Sequence, residues 1–451
     1  MQDIFTEHYR CPRQYSIFTA RQPLSEQSGY FRFASEIAYG QCAGVPPAPL
    51  AEAVLPDLTA FVGSEEGRIV LPFDVNQVID GLRGEFYVSS GAARSASPPV
   101  LHDIYYGLRP FMPLVLRRRL QQIYLSNWRN IAFPRWPVEC AVDSILEQLM
   151  ALAIQRTPQR RIPFIWFWPD GAPACAVLTH DVETDAGRDY CSAVMDMDDS
   201  FGLKASFQLV PEVRYAVSDS LLQSMRNRGF EICVQDLNHD GQLYRDEQQF
   251  RIRAKSINGY GKAWKANGFR SAVLYRKQEW FDALEVDYDM SVPNVGSLDP
   301  QRGGCCTVKP YFIGNILELP VTTTQDYSLF HVLHDYGIDL WKQQIQKIMA
   351  HNGFISFIVH PDYIQGLKER DTIEQLLNHL RSIREKENLW TPTPGEVAKW
   401  WLQRSKMSIV EEAGKLRIQG EGAERARIVY ATIESERVVY RTVEKAAARS
   451  N

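Results

Sequence analysis

The sequence predicts an α/β protein: a barrel of seven β/α units, with an irregular N-terminal extension and a small C-terminal antiparallel β appendage. From 174 to about 405, short apolar runs alternate with segments of helical spacing, which is typical of βα units and a mainly parallel sheet. Between 408 and 446, polar and apolar residues alternate at period two between glycine-rich turns, which indicates antiparallel strands. We therefore expect an N-terminal extension over 1–160, the barrel over 161–405 and the β appendage over 406–451.

Seven apolar runs are the predicted barrel strands. In chain order they read ACAVLTHD, KASFQLVP, FEICVQD, GFRSAVL, YDMSVP, ILELPV and GFISFIVHP. Helical spacing between them predicts helices over 186–201, 218–228, 243–266, 277–285, 337–351 and 371–387. Because catalytic side chains of such barrels lie at the carboxyl ends of the strands, the polar residues that follow these runs are the candidates for chemistry.

The N-terminal extension contains one segment with clear helical spacing, at 101–130. Its apolar side chains share a stripe beside three consecutive arginines at 117–119. A basic amphipathic helix can make a peripheral contact with an anionic membrane surface, and it can equally pack on its own protein with the arginines in solvent. Both readings stay open at this level.

Composition limits the class of protein. The chain has 451 residues, of which 45% are hydrophobic and 23% charged, and its net charge is −4, so it predicts two or three globular modules. That mild acidity argues against a nucleic-acid binder, which needs a basic surface. The eight cysteines form no CxxC pair, and we see neither a secretory signal nor an apolar run near the ~20 residues of a membrane span. These features predict a soluble cytoplasmic protein and leave its oligomeric state undetermined.

Two carboxylates follow the first predicted strand, in the stretch LTHDVETD. Asp181 and Glu183 are two residues apart, so on an extended backbone their side chains share a face. Like charges this close are tolerable when a cation or an arginine lies between them. The pattern fits a metal ligand at Glu183 and a general base at Asp181. The alternative is that these acids only favour the first turn of a helix.

Other strand ends add basic and ligand-type residues. Gln235 ends the third strand and His239 follows it, while Arg270 and Arg276 follow the fourth and either could hold a carboxylate base. His360 follows the apolar run of the last strand, where packing does not call for an imidazole. Since these ends meet at one rim, we expect the side chains to form one site.

These residue types together predict hydrolysis of an amide or ester. A metal bound by acidic and histidine ligands would polarise the acyl oxygen, Asp181 would take a proton from water, and His360 would protonate the leaving amine. The stretch PVTTTQDYSLF adds Asp326 and Tyr327 as candidates to hydrogen-bond a sugar.

The stretches VLTHDVE, RGFEICVQDLNHDG, GFRSAVLYR, LELPV and FISFIVHPDY resemble, in that order, the motifs of the NodB-type polysaccharide deacetylases, carbohydrate esterase family 4. The resemblance covers roughly residues 174–365. It implies a distorted (β/α)7 barrel and a metal-dependent hydrolase that removes acetyl groups from N-acetylated sugars. The flanking segments are similar to a bacterial subgroup associated with cell-surface polysaccharide biosynthesis, so the implied partner is an N-acetylated carbohydrate.

The resemblance also implies site roles: base Asp181, metal carboxylate Glu183, metal histidine His239, base-orienting arginine Arg270 and general acid His360. The family's other metal histidine falls on Gln235, whose neutral amide is a poor ligand for a zinc-like ion.

The glutamine leaves three functional hypotheses open. A zinc-like divalent metal is retained through Glu183, His239 and either Gln235 or Asp236; or the site works without metal, with Arg270 and the histidines stabilising an oxyanion; or the barrel is an inactive carbohydrate-binding or assembly protein. The presence of an acid and a base favours an enzyme. Hydrolysis of a C–N bond in a small non-sugar amide is a further alternative.

Overall fold

The computed structural model describes residues 3–88 and 128–442, which form two compact units. One unit comprises the described parts of 1–87, 140–172 and 399–451, and the other those of 88–139 and 173–398. The predicted helix over 101–130 lies outside the described residues except for its last three, which form a 3-10 turn, Trp128–Asn130.

The described strands are, in chain order, β1 (Phe18–Ala20), β2 (Gly29–Phe33), β3 (Glu36–Gly40), β4 (Gly63–Glu65), β5 (Arg68–Leu71), β6 (Arg161–Ile165), β7 (Cys175–Val182), β8 (Ala205–Leu209), β9 (Glu231–Gln235), β10 (Gly268–Arg270), β11 (Tyr288–Asp289), β12 (Tyr311–Ile313), β13 (Ile316–Glu318), β14 (Phe354–Val359), β15 (Ser408–Glu412), β16 (Lys415–Gln419), β17 (Ile428–Glu434) and β18 (Arg437–Thr442). The described α-helices are α1 (Ile4–Tyr9), α2 (Val75–Arg83), α3 (Ala141–Arg156), α4 (Asp185–Ser200), α5 (Asp219–Asn227), α6 (Glu247–Ala263), α7 (Asp339–Ala350), α8 (Leu367–Glu387) and α9 (Pro394–Lys406).

The second unit is built on a curled eight-stranded sheet, ordered β12-β13-β11-β10-β9-β8-β7-β14. All neighbours are parallel except β12 and β13, which form an antiparallel pair. The seven predicted strands correspond to β7 to β11, β13 and β14, so the prediction of a mainly parallel α/β fold is confirmed. Strand β12 is an addition that the sequence pattern did not indicate.

Helices follow most of these strands as predicted, and three of them begin at a residue whose side chain caps the first turn. The hydroxyl of Thr184 accepts from the backbone of Gly187 at the start of α4, and Ser218 and Asp246 cap α5 and α6 in the same way. The helix predicted over 277–285 is instead a 3-10 helix, Gln278–Ala283.

The strand ladder described here does not close into a ring, since β12 and β14 are the two edges of the sheet. Threonine side chains bridge to β14 after the end of β13. The hydroxyl of Thr322 accepts from the backbone nitrogen of Ser356 at 3.0 Å and donates to the carbonyl of Phe354 at 2.8 Å, and Thr323 donates to the carbonyl of Ser356 at 2.7 Å. Side-chain hydrogen bonds from the segment after β13 to β14 therefore stand where a closed barrel would have a backbone ladder.

The C-terminal strands are antiparallel, as the period-two pattern predicts. β15 and β16 form a hairpin, and β17 pairs with both β18 and β6 in a three-stranded sheet. Strand β6 precedes the barrel, so the C-terminal strands complete a sheet of the first unit. No helix among the described residues has the length and apolarity needed to cross a membrane.

Candidate active site

The site lies at the carboxyl ends of β7, β9, β10 and β14, where Asp181 and Arg270 form a buried ion pair. Nη1 of Arg270 lies 2.6 Å from Oδ1 of Asp181, and the amide nitrogen of Gln235 donates to Oδ2 of Asp181 at 3.2 Å. All three side chains are buried. The structure thus brings together the predicted base, its predicted arginine and the glutamine that ends β9.

Two further groups fix the orientation of Arg270. Its Nε donates to the carbonyl of Met290 at 3.0 Å, and its Nη1 also donates to the hydroxyl of Thr179 at 2.7 Å. That hydroxyl in turn donates to the carbonyl of Phe357 on β14. A planar guanidinium held at several points orients a carboxylate more precisely than a flexible ammonium would. The second predicted arginine, Arg276, does not join this pair, since it binds the carbonyls of Leu274 and Arg302.

Glu183 is the carboxylate that meets both predicted histidines. Its Oε1 lies 3.0 Å from Nε2 of His239 and 3.6 Å from Nε2 of His360, and the hydroxyl of Tyr363 donates to Oε2 at 3.4 Å. Burial acts to raise the pKa of Glu183, but the two imidazoles outweigh it and hold that pKa well below its usual range. Glu183 is therefore an anion at neutral pH, with 21% of its side chain exposed.

Asp326 holds His360 in place. Oδ1 of Asp326 lies 2.6 Å from Nδ1 of the imidazole, and Oδ2 accepts the backbone N–H of His360 at 2.7 Å. Burial acts to lower the pKa of His360, but Asp326 and Glu183 raise it well above its usual value. Both carboxylates therefore favour the protonated imidazole, whose Nδ1 lies toward Asp326 and whose Nε2 lies toward Glu183.

His239 is held from its other side by Arg214. Nη2 of Arg214 lies 3.3 Å from Nδ1 of His239 and donates to the carbonyl of the same residue at 2.6 Å. A guanidinium carries only donors, so it can bond Nδ1 only as an acceptor, which places the ring proton on Nε2 toward Glu183. Burial acts to lower the pKa of His239, while Glu183 raises it and gives a net upward shift.

Aromatic rings line one side of the site. Tyr363 contacts His360 at a centroid distance of 4.8 Å, and the rings of Tyr327 and His331 lie 5.5 and 5.3 Å from that of Tyr363. Tyr327 precedes a π-helical turn, Ser328–Val332, which carries His331. Such turns occur frequently at functional sites.

The predicted metal ligands do not assemble into a zinc-like site. Among the described residues, no group of three or more histidine, cysteine, aspartate or glutamate side chains is arranged to hold a metal ion. A metal-bound imidazole normally donates its other N–H to an acceptor, whereas Nδ1 of His239 faces the Arg214 guanidinium. The amide nitrogen of Gln235 is turned to Asp181, and its buried Oε1 has no hydrogen-bond partner. One imidazole, one carboxylate and one amide oxygen do not fit the zinc-like ion that the sequence resemblance implies.

Sequence reasoning missed several contributors to the site. Asp326 was a candidate to hydrogen-bond a sugar, and its contact with His360 was not predicted. Arg214 and Tyr363 were not predicted at all, although Tyr363 follows the His-Pro-Asp stretch at the end of β14 and could have been suspected from that position. A pocket of this unit lies apart from these residues, beside the bridging threonines and between Trp136, Asp299 and Gln344.

Comparison with known proteins finds matches among solved structures alone. No protein-family model and no curated protein sequence matches the chain. Among solved structures, it is similar to a Mycobacterium smegmatis protein assigned as a polysaccharide deacetylase and to the allantoinase PuuE, each at 14% identity with a TM-score of 0.41, covering 52% of this chain and 92% of the other. It is also similar to the peptidoglycan deacetylase PdaC of Bacillus subtilis, at 11% identity with a TM-score of 0.33, covering 51% of this chain and 93% of the other. What this site does is therefore inferred from its own residues.

Proposed function

We propose that this protein hydrolyses the amide bond of an N-acetylated sugar. The observation that carries the proposal is the placement of two held groups at the carboxyl ends of the neighbouring strands β14 and β7: the His360 imidazole, held by Asp326, and the Asp181 carboxylate, held by Arg270. Amide hydrolysis needs a base for water and an acid for the leaving amine, and here the two lie at one rim.

In the proposed reaction, Asp181 takes a proton from water as the water oxygen attacks the carbonyl carbon of the acetamide. The carbonyl π electrons move to oxygen, and they return when the C–N bond breaks. His360 gives its Nε2 proton to the departing nitrogen, so the products are acetate and a free amine. Arg270 orients Asp181, and Glu183 stabilises the imidazolium of His360. No step is assigned to a metal, because the ligands present do not fit one.

The sugar is supported by the order of motifs, which resembles that of the NodB-type deacetylases, and by the aromatic rings beside His360, since aromatic faces pack well on the apolar faces of sugar rings. A role in surface-polysaccharide synthesis in the cytoplasm is part of the proposal and depends on the same resemblance.

One observation favours a second candidate, a carbohydrate-binding protein without turnover. Asp181 is already bonded to Arg270 and Gln235, and Glu183 to two imidazoles, so every carboxylate of the site has partners within the protein. Carboxylates whose partners all lie within the protein can serve structure alone.

A release assay separates the two candidates. Acetate and free amine would be measured after incubation with N-acetylglucosamine oligomers and, in parallel, with small acetamides such as acetanilide. Oligomer cleavage that is lost in His360→Gln supports the deacetylase. Cleavage of the small amides alone indicates a non-sugar amide hydrolase, and oligomer binding without release of acetate by wild type indicates the binding protein.

A further inference from the structure

Two buried acids, Asp289 and Glu318, have no part in the reaction above, and Asp289 lies close enough to Arg270 to feel its charge. Asp289 ends β11 and Glu318 ends β13, and the two residues are paired across these parallel strands. Both side chains have zero exposure, and the strand register places the two residues directly opposite each other. Two carboxylates can only accept, so a hydrogen bond between these acids requires a proton on one of them.

The surrounding donors indicate which acid carries the proton. Asp289 accepts from the backbone nitrogen of Ser291 and from its hydroxyl, each at 2.8 Å. Glu318 accepts the backbone N–H of Val292 at its Oε1. Its buried Oε2 has no hydrogen-bond partner if both acids are ionised. A proton on Oε2 gives that atom an acceptor in Asp289 and gives Asp289 a further donor.

The charges around the pair agree with this placement. Burial is the largest influence and raises the pKa of Glu318 well above its usual range, with Asp289 adding to the shift. Burial also raises the pKa of Asp289, which is opposed by Glu318, Ser291 and the charge of Arg270. Two further ionisable side chains are near the pair: Cys305 faces Glu318, and Tyr244 lies near both acids. Neither supplies a positive charge.

Asp289 shapes the backbone that orients Arg270. Its carboxylate folds back onto Ser291, and the carbonyl of the residue between them, Met290, accepts from Nε of Arg270. The hydroxyl of Ser291 also accepts the backbone N–H of Ser271, the residue after Arg270. A group that fixes the Asp289 carboxylate therefore also fixes the Met290 carbonyl, which accepts from Arg270, and the Ser291 hydroxyl, which accepts from the residue after Arg270.

We propose that Glu318 is a neutral carboxylic acid that donates its Oε2 proton to Asp289, and that it is thereby a positioning residue for Arg270. As a neutral group, Glu318 fixes the Asp289 turn without adding a second anion that would compete with Asp181 for the guanidinium. The protonation state does not depend on the proposed function; the effect on turnover rests on it.

Infrared spectroscopy of the full chain at pH 7 tests the proton directly. Wild type should show the carbonyl band of a protonated buried carboxyl group, and Glu318→Gln should lose it. Glu434→Gln is the control, because the pKa of Glu434 is lowered by its exposed pair with Arg441 and its loss should leave the band intact. A band that persists in Glu318→Gln overturns the proposal. If that variant does not fold, the same band is followed in a pH titration of wild type. Absence of the band from wild type at pH 7 would equally overturn the proposal that Glu318 is protonated.

Stability against pH is an independent readout. A carboxyl whose pKa is raised on folding binds more protons in the folded state, so its contribution to stability falls as pH rises above its unfolded pKa of about 4.3. Glu318→Gln has no such proton to lose. The ratio of its folding equilibrium constant to that of wild type should therefore increase by up to about tenfold per pH unit as the pH rises from 5 to 8. Glu434→Gln should show no such gain over this range, and a flat profile for Glu318→Gln contradicts the proposal.

Kinetics test the positioning role. Glu318→Ala should lower kcat with KM unchanged, while Glu318→Gln, which keeps a neutral donor, should restore kcat to near the wild-type value. Equal loss in both variants overturns the positioning role. If wild type shows no turnover at all, the proposed function fails, and the infrared and stability experiments still decide the state of Glu318.

Discussion

Asp326 contacts His360 twice: Oδ1 lies 2.6 Å from Nδ1 of the ring, and Oδ2 accepts the backbone N–H of the same residue at 2.7 Å. One carboxylate therefore fixes both the position of the histidine backbone and the protonation of its ring. The other ring nitrogen, Nε2, is left facing Glu183 at 3.6 Å, where a substrate amine could take its proton. The paired residues lie 34 positions apart in the chain, and only the fold brings them together.

Asp326→Asn should leave His360 without the anion that keeps it protonated. The pKa of His360 should fall, and any turnover should drop by about 10²- to 10⁴-fold, which is the usual contribution of a positioned acid. Turnover against pH and NMR titration of the imidazole check this. Asp198→Asn is the matched control, because it removes the carboxylate 2.8 Å from a different buried histidine, His180, on the opposite face of β7. Equal losses in both variants would contradict a specific role for Asp326.

The ion pair of Glu183 and His360 should stabilise the fold most at mildly acidic pH. The depressed pKa of Glu183 means that its contribution is present above an unfolded pKa of about 4.3 and is lost as pH falls through the folded value. The raised pKa of His360 means that its contribution is present below about 6.5 and is lost as pH rises through the folded value.

Urea unfolding of wild type and His360→Gln at a series of pH values measures this effect. The difference in free energy of unfolding should be largest between about pH 4.3 and 6.5 and should shrink above that, by at most about 1.4 kcal/mol per pH unit for each proton. A difference that stays constant from pH 5 to 9 would show that the charge of His360 does not contribute.

Arg270→Met should be strongly destabilising. It leaves the Asp181 carboxylate buried without its counter-charge, and breaking a buried pair from one side costs about 3–5 kcal/mol. Arg270→Lys keeps the charge but cannot reproduce the bonds to Thr179, Asp181 and Met290. Its free energy of unfolding should therefore lie between that of Arg270→Met and that of wild type. Urea unfolding gives both values. A Lys variant as unstable as Met would indicate that geometry matters here and charge does not.

Gln235→His should raise the affinity for zinc, since it adds the imidazole that the site lacks. Metal content by mass spectrometry, on protein purified without chelator or affinity metal, should be well below one equivalent in wild type and higher in the variant. Gln344→His, at a buried glutamine on α7, is the control. If wild type holds about one equivalent that His239→Ala loses, our conclusion that the ligands do not fit a metal is wrong.

Thr322→Val should weaken the bridge between the β13 and β14 ends of the sheet. It keeps the shape of the side chain but leaves the buried N–H of Ser356 without its acceptor, which costs about 1–3 kcal/mol. Thr432→Val, at a part-buried hydroxyl with one long 3.5 Å bond, should cost less. Urea unfolding of the two variants compares them, and equal costs would argue against the bridge.

The order and type of the barrel elements could be predicted because they depend on local pattern. Apolar runs such as 175–182 and 354–359 are buried on both faces and lie between helical segments, so each strand carries its own signal. Strand β12 has only three residues, and the stretch 278–283 forms a 3-10 helix of six. Segments this short contain too few residues for their length or periodicity to tell a strand, a 3-10 helix and a loop apart.

The meeting of Asp181, Glu183, His239, Arg270 and His360 could be expected from sequence, since each follows a strand whose carboxyl end lies at one rim. What they do to each other could not. Whether Gln235 turns toward a metal or toward Asp181 depends on a side-chain rotation, and Nδ1 of His239 meets Arg214 from a loop 25 positions away.

By itself, the sequence determined the parallel α/β fold and the set of acids and bases at its rim, because strand periodicity and the order of strands are local properties of the chain. Only the tertiary structure decided that Asp326 holds His360, that Glu183 lies between two imidazoles and that Glu318 meets Asp289. Those contacts set the charge of each group through burial and distance, and neither quantity exists until strands distant in sequence pack side by side.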